Sequence, residues 1–215
     1  MNFLFPPLCP GCEVYLGIKA DPARLCPDCA AGLAAVAREH LFRETGRAGL
    51  EVLYSLGPYG TEPLTRLIHK IKYEQKDWIV DALIPALRDF LAKARLQDAV
   101  DAVVPVPLHP RRLRSRGFNQ AELIGRAVGE ILGKPVYGDV LKRLKSTRPQ
   151  MSLAQSQRRK ENVKGAFGPA GRTLNPDQRV LLVDDVATTG ATLQECGRVL
   201  GGMGVKKIIG FALAA

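Results

Sequence analysis

Two adjacent carboxylates, Asp184 and Asp185, stand between a run of β-prone residues, Val180 to Val183, and a loop of small residues from Ala187 through Thr188, Thr189, Gly190, Ala191 and Thr192. Each part of that order has its own chemistry. Carboxylates accept hydrogen bonds from hydroxyl groups and stabilise positive charge that develops beside them. Small side chains with one glycine let successive backbone N–H groups turn toward an anion, and the threonine hydroxyls add donors. A sugar phosphate satisfies both halves. The plainer alternative is an ordinary βα turn with acids at its mouth, and the length and order of the pattern weigh against it.

A second constellation lies near the amino end, where Cys9-x-x-Cys12 and Cys26-x-x-Cys29 are separated by thirteen residues. Each pair can turn its thiolates toward one ion, so the two together complete a tetrahedral sulfur shell of the kind that holds a structural Zn2+. Pro10-Gly11 and Pro27-Asp28 fill the knuckles with turn-forming residues. Paired disulfides are the alternative. They fit less well, because the short apolar start is broken by Pro6-Pro7, no basic region precedes it, and a chain of 215 residues does not need stapling. Thioredoxin-type redox chemistry fits worse, since neither pair follows a strand. Cys196 reads as a small buried hydrophobe.

These residues need elements to hold them. The unbroken apolar run before Asp184 predicts a strand covered on both faces of a parallel sheet, whose carboxyl end is where such sheets bind ligands. Leu193, Cys196, Leu200 and Met203 fall at helical spacing, so the small-residue loop is expected to end at a helix N-terminus. Ala102 to Val104 predicts a second buried strand running into a proline-stiffened turn, then a basic loop over Arg111, Arg112, Arg114 and Arg116, then a helix from Ala121 closed by Gly133. Upstream, an Ala-rich helix is expected to end near Phe42, with a linker after it and an extended segment within Leu50–Tyr59. Thr61 is placed to cap a helix with Leu64, Leu67, Ile68 and Ile71 on one face, and Lys70 and Lys72 sit near its negative pole. Another helix carries Leu83, Leu87, Phe90 and Leu91 with Pro85 in its first turn, and Lys207 to Leu213 forms the last strand. His40 and His69 read as ordinary surface or boundary residues. The expected division is a zinc module with its helix over 1–45 and an α/β domain over 46–215.

Composition agrees with a folded chain, 46% hydrophobic and 24% charged, without an apolar run long enough to insert in a membrane. The formal charge of +10 is local. Arg111 to Arg116 holds four basic and no acidic residues, and Lys142 to Lys164 holds eight basic residues against Glu161 alone, so these stretches carry the whole excess. Concentrated basic charge implies a polyanionic partner such as pyrophosphate, a nucleotide or a nucleic-acid backbone. Aromatic residues are few, with Phe118 and Phe167 nearest the basic stretches, so sequence-specific base readout is not expected. The stretch from Thr147 to Phe167 is long and polar, which marks either a functional loop or an exposed linker.

The run VLLVDDVATTGATL resembles the signature by which type I phosphoribosyltransferases bind 5-phosphoribosyl 1-diphosphate (PRPP). The resemblance implies that Asp184 and Asp185 are the catalytic acids holding the ribose hydroxyls, that 187–192 wrap the 5′-phosphate, and that Mg2+ accompanies PRPP. It implies pyrophosphate contacts from Arg111, Arg112 and Arg116, and a closing loop with Arg148, Gln150, Arg158, Arg159, Asn162 and Lys164. With CxxC…CxxC, VPVPLHPRRLRSRGFNQA and RPQMSLAQSQRRKENVKGAF in this order, the whole chain resembles the ComF family of competence-related proteins. That family implies an N-terminal zinc finger on a phosphoribosyltransferase domain, a cytoplasmic setting, and DNA uptake with single-stranded DNA and uptake-machinery proteins as partners. The alternative activity is phosphoribosyl transfer from PRPP to an unknown acceptor. The acceptor-side lid is expected from the zinc module and the helices before Ala102.

Overall fold

The computed structural model describes residues 7–21, 23–39, 42–45, 49–74, 76–145 and 163–215, with 42–45 as backbone alone. Five strands form the main sheet: β1 (Phe42–Thr45), β2 (Val52–Gly57), β3 (Ala102–Pro105), β6 (Arg179–Val186) and β7 (Lys207–Ala214). Their order is β1-β2-β7-β6-β3, with β1 antiparallel at one edge and the other four parallel. A separate antiparallel ribbon pairs β4 (Leu141–Arg143) with β5 (Phe167–Pro169). This is the α/β parallel-sheet architecture expected from the apolar runs.

Both faces of the sheet are covered, which explains why β6 carries no polar alternation. Leu181 and Val183 point into one core with Val103, Ile209, Phe211 and Leu213, while Val180 and Leu182 point into the other with Val104, Ile208 and Ala212. Burying one such side chain is worth about 1.5–3 kcal/mol, so a polar residue at any of these positions would disrupt the sheet. Helices α1 (Pro27–Glu39), α2 (Leu64–Tyr73), α3 (Ile79–Lys93) and α6 (Gln120–Leu132) supply the first core. Helix α7 (Ala191–Gly202) and the ribbon supply the second. Two short helices, α4 (Leu96–Ala99) and α5 (Pro110–Arg116), flank β3.

Several expectations are corrected. The Ala-rich helix stops at Glu39, and Phe42 opens β1 in the stretch read as helix end and linker. Pro85 lies well inside α3, not in its first turn. Thr61 does not cap α2 with its side chain; instead its carbonyl accepts the Thr65 N–H at 2.9 Å, and Thr65 Oγ1 accepts from Gly60 N–H at 2.9 Å. The basic loop after β3 is a helix, because His109 Nδ1 accepts the Arg111 N–H at 3.2 Å as N-cap and Pro110 sits in the first turn. Gly117 closes it in the left-handed conformation, φ 82°.

The entrances to β3 and β6 are pinned together. Arg179 donates to Asp101 from its backbone N (2.9 Å), Nε (3.0 Å) and Nη2 (2.7 Å). Arg179, through these hydrogen bonds, holds the Asp101 carboxyl down at about 2. Because the folded value lies below the unfolded one, the stabilisation is present above pH ~4 and is lost as pH falls toward 2. Asp101→Ala is therefore expected to lower stability by about 1 kcal/mol at pH 7, discounted for the solvent around this pair, and the difference from wild type should shrink near pH 2 in urea titrations.

Candidate functional site

The sheet delivers its chemistry at the carboxyl edge of β6. Asp184 and Asp185 end the apolar run there, Asp184 in register with Ala212 of β7, and Val106 of the neighbouring turn donates its N–H to the Val183 carbonyl at 2.8 Å. The acids thus stand next to the turn that leads into α5. Asp185 N–H donates to Asp184 Oδ1 at 2.9 Å, and Lys72 Nζ on α2 reaches Asp185 Oδ1 at 3.0 Å. Burial, and then the negative charge of Asp185, push Asp184 up to about 7, against the pull of Lys72 and Arg143. A carboxylate in that condition gains from a hydroxyl donor or a cation placed on it.

Beyond the acids the chain turns through residues 187–190 into α7. Gly190 is the N-cap in the left-handed conformation, φ 66°, and as a glycine it offers no side chain to the first turn. Its carbonyl accepts the Gln194 N–H at 2.9 Å, and Thr189 Oγ1 accepts from Ala191 N–H at a long 3.4 Å. The N–H groups of the first turn have no intrahelical acceptor, and a phosphate fits that donor set. Thr188 is exposed, Thr189 and Thr192 are half-buried, and Ala187 and Ala191 are buried.

The arginines divide. Arg112 and Arg116 are half-buried on α5, while Arg111 and Arg114 face solvent. Burial depresses Arg143, the charge of Arg112 adds to that depression, and the charge of Asp184 opposes it. Arg112 in turn feels burial first, then Arg116 and Tyr73. These mutual influences put α5, the end of β4 and the acids near one another. Lys164 is half-way along the return to β5, where its carbonyl accepts from Lys145 Nζ at 3.2 Å. The expected contacts from Arg148, Gln150, Arg158, Arg159 and Asn162 lie outside the described residues, as does His40.

Sequence reasoning missed three participants. Lys72 was read as a helix-pole charge, Arg143 was one of eight basic residues in its stretch, and Tyr73 was not singled out at all. The rings that were singled out are not open for stacking: Phe167 is buried, with the Arg143 guanidinium 5.1 Å from its ring centre, and Phe118 packs on the core. Cys196 is buried as expected, and its thiol is pushed up by burial.

The cysteines form the second centre. Cys9, Cys12, Cys26 and Cys29 are all free thiols, and their sulfurs lie within 4.8 Å of one another. A tetrahedral zinc with Zn–S near 2.3 Å needs sulfur separations of about 3.8 Å, so the cluster fits one such ion after small adjustment. The local structure favours thiolates. Cys26 N–H donates to Cys9 Sγ at 3.2 Å, and Cys29 N–H donates to Cys26 Sγ at 3.5 Å, which puts a sulfur in the N-cap place of α1. Burial raises Cys9, but hydrogen bonds from Cys26, Cys12 and Gly11 outweigh it and leave the thiol at about 7. Cys29, by contrast, is pushed up by burial and by the neighbouring sulfurs. Four such groups cannot ionise together without a cation among them. Gly11 makes the knuckle possible, since a Cβ there would come 2.7 Å from Cys29 Sγ.

The two centres share helix α2. Lys70, 7% exposed, donates to Glu13 Oε1 of the knuckle at 2.7 Å, whereas Lys72 pairs with Asp185. A Cβ on Gly11 would also come 3.2 Å from Pro63 Cβ just before α2, so the cysteine module seats directly on the start of this helix.

Among the described residues no helix is long and apolar enough to cross a membrane. Residues 132–215 match the phosphoribosyl transferase domain model. Competence protein F of Haemophilus influenzae is 34% identical over 96% of this chain and 90% of its own length. The DNA utilization protein YhgH of Salmonella typhimurium is 33% identical over 88% of this chain and 83% of its own, and competence protein ComFC of Streptococcus pneumoniae is 34% identical over 51% and 46%. At 34% identity over 96% of its length to a competence protein, the chain belongs to the ComF family of competence-related proteins, and its α/β fold is that of a phosphoribosyltransferase domain.

Proposed function

We propose that the protein binds PRPP with Mg2+ at the carboxyl edge of β6 and serves DNA uptake in the cytoplasm by holding single-stranded DNA along its basic face. The observation that carries the first half is the juxtaposition of an acid pair with a helix N-terminus that opens on a glycine: Asp184 and Asp185 accept from the ribose hydroxyls, and the 187–192 backbone takes the 5′-phosphate. Arg111, Arg112 and Arg116 of α5 lie where the pyrophosphate leaves the sugar, with Lys164 on the ribbon return. Mg2+ arriving with PRPP beside Asp184 and Asp185 would supply positive charge against the diphosphate, and a Zn2+ held by Cys9, Cys12, Cys26 and Cys29 would organise the amino-terminal module. The names of the relatives, competence protein and DNA utilization protein, support the DNA half. Proteins of the uptake machinery are its expected partners.

Isothermal titration with PRPP in magnesium buffer tests the first half, and absence of heat and of competition by pyrophosphate would sink it. For the second half, the solvent-facing Arg111 and Arg114 are placed to neutralise strand phosphates. Arg111→Ala with Arg114→Ala is expected to flatten the salt dependence of oligonucleotide affinity by about 0.7 in log–log slope per lost phosphate contact. An unchanged slope in fluorescence anisotropy would place the strand elsewhere.

Phosphoribosyl transfer is the second reading, favoured by the intact carboxylate pair beside a half-buried cationic cluster. It requires pyrophosphate release that begins only when an acceptor is added.

A further inference from the structure

Tyr73 follows Lys72 directly at the end of α2 and is 66% exposed, the most open of the described tyrosines. A lone exposed ring carries no message. This one is flanked on both sides. One turn earlier on the same helix the exposed His69 imidazole lies 5.1 Å from the Tyr73 ring, centre to centre, inclined at 53°. From α5 the Arg116 guanidinium carbon stands 5.8 Å from the ring centre. Arg116 is held in that place from behind: its Nη1 donates to Gln120 Oε1 at 3.1 Å, and Gln120 is 2% exposed. The guanidinium has no acceptor, so the contact also fixes which way the Gln120 amide points, and its Nε2 is left buried with no hydrogen-bond partner among the described residues. A buried donor left unsatisfied is a cost, and what it secures is the position of Arg116 beside Tyr73. The conspicuous RGFNQA stretch thereby gains a structural role: Asn119 caps α6 and donates to the Val106 carbonyl at 3.0 Å, tying the turn after β3 to the helix, while Gln120 aims the arginine.

We propose that Tyr73, His69 and Arg116 form a stacking ledge that receives a nucleobase next to the ribose-binding carboxylates. The inference rests on the phosphoribosyl reading of Asp184 and Asp185, since Lys72, adjacent to Tyr73, is the residue that touches Asp185. The chemistry of the ledge selects the ligand class. A phenol face and a guanidinium plane attract a flat π system, and every base has such a face. Arg116 donates to ring nitrogens or carbonyl oxygens, and an imidazole can both donate and accept. Four arginines on α5 disfavour a cationic amine. The ledge is open to solvent, so the base can belong to a mononucleotide or to a DNA strand.

Calorimetric titrations with ribose 5-phosphate, adenosine 5′-monophosphate and a twelve-nucleotide oligo(dA) test the ledge. Wild type is expected to bind the mononucleotide about tenfold more tightly than ribose 5-phosphate, the difference being the stacked base. Tyr73→Ala should bring the two within about twofold, with the loss falling on the mononucleotide, and Tyr73→Trp should preserve the preference. Since Tyr73 is exposed, its truncation leaves the core intact. A parallel loss for oligo(dA) assigns the ledge to strand bases, and a loss confined to the mononucleotide assigns it to a free nucleotide; either supports the proposal. Equal binding of sugar phosphate and mononucleotide by wild type, with oligo(dA) indifferent to Tyr73→Ala, overturns it. Failure of the underlying reading looks different: ribose 5-phosphate then binds neither protein, and the ledge falls with the sugar site.

Discussion

Replacing Asp184 by Asn is expected to weaken magnesium-dependent PRPP binding at least a hundredfold and, at the same time, to raise the melting temperature. The opposite signs have one cause. The carboxyl of Asp184 is half-buried beside Asp185, and burial followed by that neighbour's charge lifts it to about 7. A folded value above the unfolded one means that the ionised form costs stability. That cost is absent below pH ~4, where both states are protonated, grows as pH rises, and is complete above pH ~7. Three pH units would correspond to about 4 kcal/mol at most, and water at the half-buried group reduces this to on the order of 1–2 kcal/mol. Asparagine keeps the shape and removes the charge, so the gain should appear at pH 7.5 and vanish near pH 4. Binding moves the other way because a neutral amide neither attracts the cation nor accepts two strong hydroxyl hydrogen bonds. Thermal scans at several pH values, set beside calorimetry, decide the matter. A variant that loses stability at pH 7.5 would show that Asp184 holds the fold together and is not a strained binding group.

Adding Asp185→Asn tests the division of labour within the pair. Asp185 is already matched by Lys72 at 3.0 Å, so its removal should frees no comparable cost and leave stability near that of the single variant. The coupling between the acids is expected to make the double variant no worse in binding than the more damaging single one.

What the sequence disclosed about this site was whatever lies close together in the chain. The apolar run, the acids and the small-residue turn are contiguous, so strand β6, the acid pair and the entry to α7 could be read directly from residue order. The four cysteines were legible for the same reason, since two short spacings carry them. Lys70 and Lys72 show where such reading stops. Both fall in the last turn of α2, where a helix-pole role suffices to explain them. Residues two apart on a helix point about 200° from one another, so one side chain reaches the cysteine knuckle and the other the acids. Only the docking of α2 against partners 57 and 113 positions away in sequence reveals this. Arg143 and Tyr73 were hidden likewise, because the cluster they form with Arg112 and Arg116 is assembled from α2, α5 and β4. Pro85 misled through a local rule, first-turn preference, that tertiary burial of Leu83, Leu87 and Phe90 overrides.

The same junction makes metal removal the other large effect. Extraction of zinc by a chelator, or Cys9→Ser, is expected to lower the melting temperature by about 10 °C or more, because structural zinc contributes binding energy that is folding energy for its module. The module is not an isolated bead: α1 begins at its second knuckle and buries Leu33, Val36 and Ala37 in the core shared with β2, α2 and α3. Loss of the knuckle also frees Lys70 from Glu13, and with it the clamp on the helix that carries Lys72 to Asp185. PRPP affinity should therefore fall several-fold in the metal-free protein even though none of the four clustered cysteines belongs to the proposed PRPP site. Glu13→Gln separates the two routes, since it weakens the clamp but leaves the sulfurs in place: metal content by mass spectrometry stays at one zinc per chain while PRPP binding declines by about twofold to threefold. Metal-free protein that melts like the loaded form would exclude a structural ion, and unchanged PRPP binding in Glu13→Gln would mean that α2 holds its position without the knuckle.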